Sequence, residues 1–319
     1  MPLVDMPLDE LQSYQGTNPR PSDFDSFWDA GLAELDKLGT EVCLESAGPH
    51  IPGVECFDAW FTGVGGARIY AKHVRPVMRP AKSPAVIEFH GYSMQSGEWI
   101  DLAKWVHAGF SAWSLDVRGQ GGRSEDVGGV RGTTLRGHIV RGLGDEPSKM
   151  LYRSIFLDCA QLARIAASQD DTDGSRIGTI GWSQGGGLSL ACAALSPFVT
   201  RCVSAYPFLA DYQRVWAMDL AKDAYDELRY FLRSFDPTHA RIQEIWMQLG
   251  YIDVQHLAPR IKGEVRMLTG LMDTICPPST QFAAYNKLTG PKSIVIYPNH
   301  SHEGLPGAVD ANFEFLSKL

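Results

Sequence analysis

The chain has 319 residues, 44% of them hydrophobic and 21% charged, with a formal net charge of −8. That composition is ordinary for a globular protein, and the acidic balance excludes a nucleic-acid partner, which needs a basic footprint. No apolar run approaches the length of a membrane span, and no block of like charge marks a membrane-surface patch, so no membrane partner is expected. The opening residues, Met1-Pro2-Leu3-Val4-Asp5-Met6-Pro7, lack the basic start and apolar core of a secretory signal. The first forty residues read as helical and peripheral. Ser22-Asp23-Phe24-Asp25-Ser26-Phe27-Trp28 opens a helix with a cap-like serine and acidic residues in its first turn.

Residues 55–75 alternate apolar and polar around Gly65-Gly66, the pattern of a β-hairpin. A strand–helix rhythm follows. Strands are expected at 85–89, 111–115, 176–180, 202–206, 265–269 and 293–297, with helices between them. Within 150–166, Leu151, Ile155, Cys159, Leu162 and Ala166 share one helical face. Strands alternating with helices predict an α/β fold, a mostly parallel sheet covered by helices on both faces, in a single domain spanning 1–319. Two segments break the rhythm. Residues 118–147 form a long loop crowded with glycine and arginine, and residues 207–262 insert helical material between two strands. The insertion carries Trp216, Tyr225, Tyr230, Phe231, Phe235 and Trp246, and by its position should sit over the C-terminal edge of the sheet. The six cysteines (43, 56, 159, 192, 202 and 276) include no C-x-x-C pair and mostly fall in apolar patterns. Buried reduced thiols, and hence a cytoplasmic location, are the expectation.

Gly181-Trp182-Ser183-Gln184-Gly185 is a G-x-S-x-G pentapeptide between a β-type run and a small apolar helix-like run. A strand turning sharply into a helix exposes the Ser183 hydroxyl, and the Gln184 N–H at the helix start is placed to bind an oxyanion. Serine needs a base held by an acid, in the chain order Ser, Asp or Glu, His. Asp273 follows the strand at 265–269, and His300-Ser301-His302 follows the last strand, so Asp273 is the candidate acid and the two histidines compete for the base. No carboxylate or cysteine cluster with ligand spacing accompanies the His-x-His, so no metal is expected. Phe89-His90-Gly91-Tyr92 follows an early strand and offers the Tyr92 N–H as second oxyanion donor, with His90 read as a structural hydrogen-bonder. Tyr92, Trp182 and insertion aromatics are expected to close a small acyl pocket.

Three motifs in register, Arg118-Gly119-Gln120, Gly181-Trp182-Ser183-Gln184-Gly185 and His302-Glu303, make the chain resemble carbohydrate esterase family seven, the acetyl xylan esterases and cephalosporin C deacetylases of the α/β-hydrolase superfamily. The resemblance runs nearly end to end, from Pro2-Leu3 through Tyr206-Pro207-Phe208-Leu209 to the C-terminal helix. It implies Ser183 as nucleophile, Asp273 as orienting acid, His302 as base, and the Tyr92 and Gln184 N–H groups as oxyanion hole. Arg118 and Gln120 are expected to support the site structurally. It implies deacetylation of small acetylated carbohydrates and of cephalosporin C through an acetyl-enzyme, acetyl transfer to peroxide, a homohexamer, and no cofactor. One departure is Ser301, where the pattern leads one to expect glycine before the catalytic histidine. The alternatives are a general short-chain esterase or a peptidase of the same fold, and a catalytically silent binding protein.

Overall fold

The computed structural model describes residues 4–78, 82–129 and 137–319. Pro2-Leu3 and part of the expected loop at 118–147 therefore lie outside the described residues. Among the latter, nine strands form one sheet: β1 (Val42–Ser46), β2 (Val54–Thr62), β3 (Arg68–Pro76), β4 (Ser83–Phe89), β5 (Ser111–Leu115), β6 (Thr172–Trp182), β7 (Val199–Ala205), β8 (Glu264–Gly270) and β9 (Lys292–Tyr297). Their order is β1-β2-β3-β5-β4-β6-β7-β8-β9. β1, β2 and β3 are antiparallel neighbours and β3 runs antiparallel to β5; from β5 to β9 every pairing is parallel. The predicted hairpin is β2–β3, turning through Val64–Gly66. β1 was not anticipated: Val42 and Leu44 alternate with exposed Cys43 and Glu45, but the strand is short and even its inward side chains are only half-buried.

Period-two alternation divides the apolar side chains between two cores. Ala85, Ile87 and Phe89 of β4 enter one, while Val86 enters the other. The helices Leu151–Ser168 and Gln184–Leu195 cover the first face, and Trp99–His107 and Ala308–Leu316 cover the second. The helix at 151–168 buries far more than the single stripe its sequence suggests. The N-terminal helix Phe24–Leu35 packs across it, with Trp28 stacked on Phe156 at 5.8 Å between ring centroids. Phe24, Trp28 and Leu35 are fully buried, so this helix is a cover for the core rather than a peripheral element. Fully burying a side chain such as Phe24 contributes about 1.5–3 kcal/mol.

Residues 207–262 hold the helices Tyr212–Ala217, Asp226–Phe235, Ile242–Leu249 and Val254–Leu257. The chain leaves β4 toward β5 on one side, and β6 pairs with β4 on the other. The sheet order thus reverses at β4, and ligands in open α/β sheets collect at the C-terminal ends of the strands flanking such a switch. No helix among the described residues is long and apolar enough to cross a membrane. All six cysteines are free, and only Cys43 is exposed.

Candidate active site

Ser183 sits between the end of β6 and the start of the helix Gln184–Leu195, with φ 57° and ψ −121°. A non-glycine residue at positive φ is strained, and the surroundings hold it there. The Ser183 N–H donates to the Ala205 carbonyl at 3.0 Å, and its own carbonyl accepts from Gly187 and Phe208 at 3.1 and 3.0 Å. Glycine is required on both sides by close approach: a Cβ on Gly181 would lie 2.6 Å from the Gly185 Cα, and one on Gly185 would lie 2.9 Å from the Phe89 carbonyl carbon. The turn is therefore set by the close approach of its own two glycines and of the end of β4.

Ser183 lines a cavity of about 360 Å³ together with Phe89, Gly91, Met94, Trp182, Tyr206 and His302. These residues come from the C-terminal ends of β4, β6 and β7 and from the loop after β9, at the switch in strand order. His302 Nδ1 lies 2.8 Å from Asp273 Oδ2. Asp273 is fully buried, and its other oxygen accepts the N–H groups of Ile275 and Cys276, each at 2.8 Å. That carboxylate can only accept, so the bond assigns the proton to Nδ1 and leaves Nε2 as the basic nitrogen. The His302 ring packs on Tyr206 with centroids 4.5 Å apart.

His300 occupies a different place. Its ring rests against Tyr297 at 5.4 Å, its carbonyl accepts from Met272, and its Nδ1 has no partner among the described residues. His90 is a structural link: Nδ1 faces the Gly91 carbonyl at 2.7 Å, and Nε2 accepts the Val117 N–H at 3.0 Å. Burial lowers its pKa.

The remaining flagged residues form a brace behind the serine. Gln120 and Gln184 exchange reciprocal side-chain hydrogen bonds of 2.7 and 3.0 Å. Gln120 Oε1 also accepts the Ser93 N–H at 2.9 Å, and Gln184 Oε1 accepts the Tyr152 hydroxyl at 2.7 Å. Gln184 Nε2 reaches back to the Gly91 carbonyl at 3.3 Å. The loop carrying Tyr92 and the helix start carrying Gln184 are thus tied side by side. Neither the Tyr92 nor the Gln184 N–H donates to a protein acceptor among the described residues, and a helix-start N–H has no intrahelical partner in any case. Arg118 lies deeper, in a bidentate pair with the buried Asp158 at 2.5 and 2.7 Å, and it also donates to the Val64 carbonyl.

Two expectations about the cavity change. Trp182 lines it, but Tyr92 does not; Tyr92 turns its ring onto Phe208 and gives its hydroxyl hydrogen to Glu227. No residue of the 207–262 insertion lines it either. Tyr225, Phe231 and Trp246 are buried in the core, while Tyr230 and Phe235 remain substantially exposed. The buried aromatics of the insertion helices pack into the main core of the body instead.

Two neighbours of the site carried no local signal. Tyr206 borders the cavity, and the fully buried Cys276 lies beside Ser183. Burial and the Asp273 carboxylate push the Cys276 thiol well above the usual thiol range, against a smaller downward effect of the Ser183 hydroxyl. Asp273, Cys276 and His302 also bring possible ligand atoms within 4.8 Å of one another, a cluster that sequence spacing did not reveal. In this arrangement both Asp273 oxygens are occupied by hydrogen bonds, one of them to the imidazole nitrogen itself. The donor set is organised for orienting an imidazole rather than for holding an ion.

A serine at a strained strand–helix turn, at the switch of a mostly parallel sheet and in one cavity with an Asp-bound histidine, defines the α/β-hydrolase class. Within that class, the family model described as acetyl xylan esterase (AXE1) matches residues 1–319, and the chain belongs to this family. Acetyl xylan esterase 1 from Thermoanaerobacterium sp. JW/SL YS485 is 52% identical and superposes with a TM-score of 0.97 over 99% of both chains. An acetyl xylan esterase from Paenibacillus sp. R4 is 33% identical, with a TM-score of 0.93 over 98% of this chain and 99% of its own. The acetyl esterase Axe7A of Xylanibacter ruminicola is 27% identical over 290 residues, 88% of this chain; the match spans 63% of that relative's length.

Proposed function

We propose that the protein is a serine carboxylesterase that removes acetyl groups from small acetylated carbohydrates, xylo-oligosaccharides foremost, and from cephalosporin C. The observation that carries the reading is the 2.8 Å Asp273–His302 bond at the wall of the cavity that Ser183 lines. His302 Nε2 accepts the Ser183 proton as Oγ attacks the acetyl carbonyl carbon. The carbonyl electron pair moves onto oxygen, and the Tyr92 and Gln184 N–H groups stabilise that oxyanion. Collapse breaks the bond to the sugar oxygen, which takes the proton from His302. Water then attacks the acetyl-enzyme by the same route and releases acetate, with no cofactor. Asp273 holds the imidazole in the required tautomer throughout.

The bulky side chains of Met94, Trp182 and Tyr206 on the cavity wall, rather than its volume, support a preference for a short acyl group. Longer chains would have to displace packed side chains at about 1–3 kcal/mol, roughly 5- to 150-fold in rate. The proposal has two further parts, a homohexamer, which rests on the resemblance alone, and a cytoplasmic location, which rests on the free, mostly buried cysteines.

The test is acetate release from acetylated xylo-oligosaccharides and cephalosporin C, beside p-nitrophenyl acetate, butyrate and octanoate. Wild type should cleave the acetyl esters and prefer acetate to octanoate. Ser183→Ala should lose at least about 10³-fold in kcat. A fluorophosphonate adduct on a serine other than Ser183 would overturn the assignment, and equal turnover of octanoate would make the protein a general esterase. Light scattering that finds a monomer would remove the hexamer.

A further inference from the structure

Tyr92 is proposed to serve the site through its backbone, and its side chain is tethered at both the hydroxyl and the ring. The hydroxyl donates to Glu227 Oε1 and accepts the His138 N–H at 3.1 Å. The ring packs against Phe208 and His138, with centroids 5.4 and 4.9 Å away. Glu227 stands in the first turn of the helix Asp226–Phe235, inside the insertion and 135 residues along the chain from Tyr92. It is 1% exposed. Its second oxygen accepts the Val140 N–H at 2.9 Å, and the backbone passes so close that a Cβ on Gly137 would lie 2.6 Å from the Glu227 Cβ. Burial pushes the carboxyl up to about 7, opposed by the hydrogen bonds from Tyr92 and from the backbone at 138–140.

A buried carboxylate among backbone donors is a costly thing to keep unless it organises something. Here it joins three segments that share no local sequence: the loop after β4, the stretch at 137–140, and the insertion. What they share is the Tyr92 peptide, whose N–H is left without a protein acceptor. The next residue, Ser93, is held by Gln120 from the other side. The peptide is therefore pinned at two points, at Ser93 by a residue of the Arg-Gly-Gln motif and at the Tyr92 side chain by Glu227.

We propose that Glu227 is a positioning residue for the oxyanion hole: by clamping the Tyr92 hydroxyl it sets the direction of the Tyr92 backbone N–H. This gives the insertion a role in the chemistry although none of its residues lines the cavity. The inference rests on the reading of the Tyr92 N–H as an oxyanion donor in the proposed esterase. Removing a whole donor costs about 10²–10³ in rate, and misdirecting one costs less.

Tyr92→Phe keeps the ring and the N–H but removes the tether; Glu227→Gln changes its other end. Each should lower kcat for p-nitrophenyl acetate about 10- to 100-fold, with KM within twofold. Each should also weaken binding of a methyl trifluoromethyl ketone by a similar factor, because its tetrahedral serine adduct places an oxyanion in the hole. Product alcohol inhibition should be unchanged, which a general loss of structure would not leave untouched. The double variant should be no slower than the worse single variant, since both act through one bond. If folded Tyr92→Phe keeps kcat and ketone affinity within twofold of wild type, or if the two losses multiply, the inference is wrong. Should Glu227→Gln fail to fold, Tyr92→Phe alone decides it. A wild type that is not phosphonylated at Ser183 would instead overturn the esterase reading itself.

Discussion

Gly185→Ala tests the architecture of the site with one methyl group. The glycine lies two residues past Ser183, where the helix Gln184–Leu195 starts against the end of β4. An added Cβ would sit 2.9 Å from the Phe89 carbonyl carbon and nearer still to its oxygen. Both neighbours are backbone, so no side chain can swing away. Carbon–carbon contacts are comfortable from about 3.5 Å, so the helix start and the strand end must separate by roughly 0.6 Å or more. In the proposed mechanism the oxyanion bridges that gap, with Gln184 N–H on the helix and Tyr92 N–H on the loop leaving β4. A hydrogen bond of about 2.9 Å stretched by that amount reaches the edge of useful geometry. Losing one donor of such a pair costs about 2.7–4 kcal/mol, or 10²–10³ in kcat. Overpacking should also lower folding stability by about 1–3 kcal/mol. The assay is kcat for p-nitrophenyl acetate in variant shown to be folded by circular dichroism, with urea denaturation for stability. A folded variant with kcat within threefold of wild type would refute the argument that this contact sets the hole.

The two histidines separate cleanly: His302→Ala should lose at least about 10³-fold in kcat, and His300→Ala should keep most of its activity because its ring touches Tyr297 rather than Asp273. Reversed phenotypes would move the base to His300. Asp158→Ala strands the buried Arg118 guanidinium and should cost about 3–5 kcal/mol in urea denaturation, while replacing both with apolar residues should recover much of that loss. Asp253, fully buried, has its carboxyl raised from 3.8 to about 7, by burial first and by the Asp211 carboxylate second. Between those values the folded chain holds a proton that the unfolded chain has released, so stability falls as pH rises through that window. Asp253→Asn should remove this slope, gaining on wild type by up to about 3 kcal/mol between pH 5 and pH 8 in urea midpoints; a parallel pH dependence in the two proteins would contradict it.

The amino-acid sequence by itself determined the parts whose causes are local. The nucleophile turn is legible in Gly181, Ser183 and Gly185, although only the Gly181–Gly185 contact is local; the need for glycine at 185 comes from the end of β4, at Phe89. The parallel strands were legible as short apolar runs, since burial on both faces leaves little else. The half-exposed edge strand β1 was not, because its inward face holds only Val42 and Leu44, too short an alternation to stand out. The helix at 151–168 was legible as a helix, but its all-round burial depends on Phe24–Leu35 crossing it, which no periodicity inside 151–168 can encode. Residue pattern alone left His300 and His302 open, and only the resemblance pointed to His302; the tertiary structure pairs Asp273 with it because the path of the loop after β9 decides which ring arrives. It also brought Cys276 beside Ser183, withdrew the insertion's aromatics from the cavity, and joined Glu227 to Tyr92. These are contacts between residues distant in sequence, or choices among equally apolar surfaces. Their energies depend on which elements meet, and a local pattern carries no record of that.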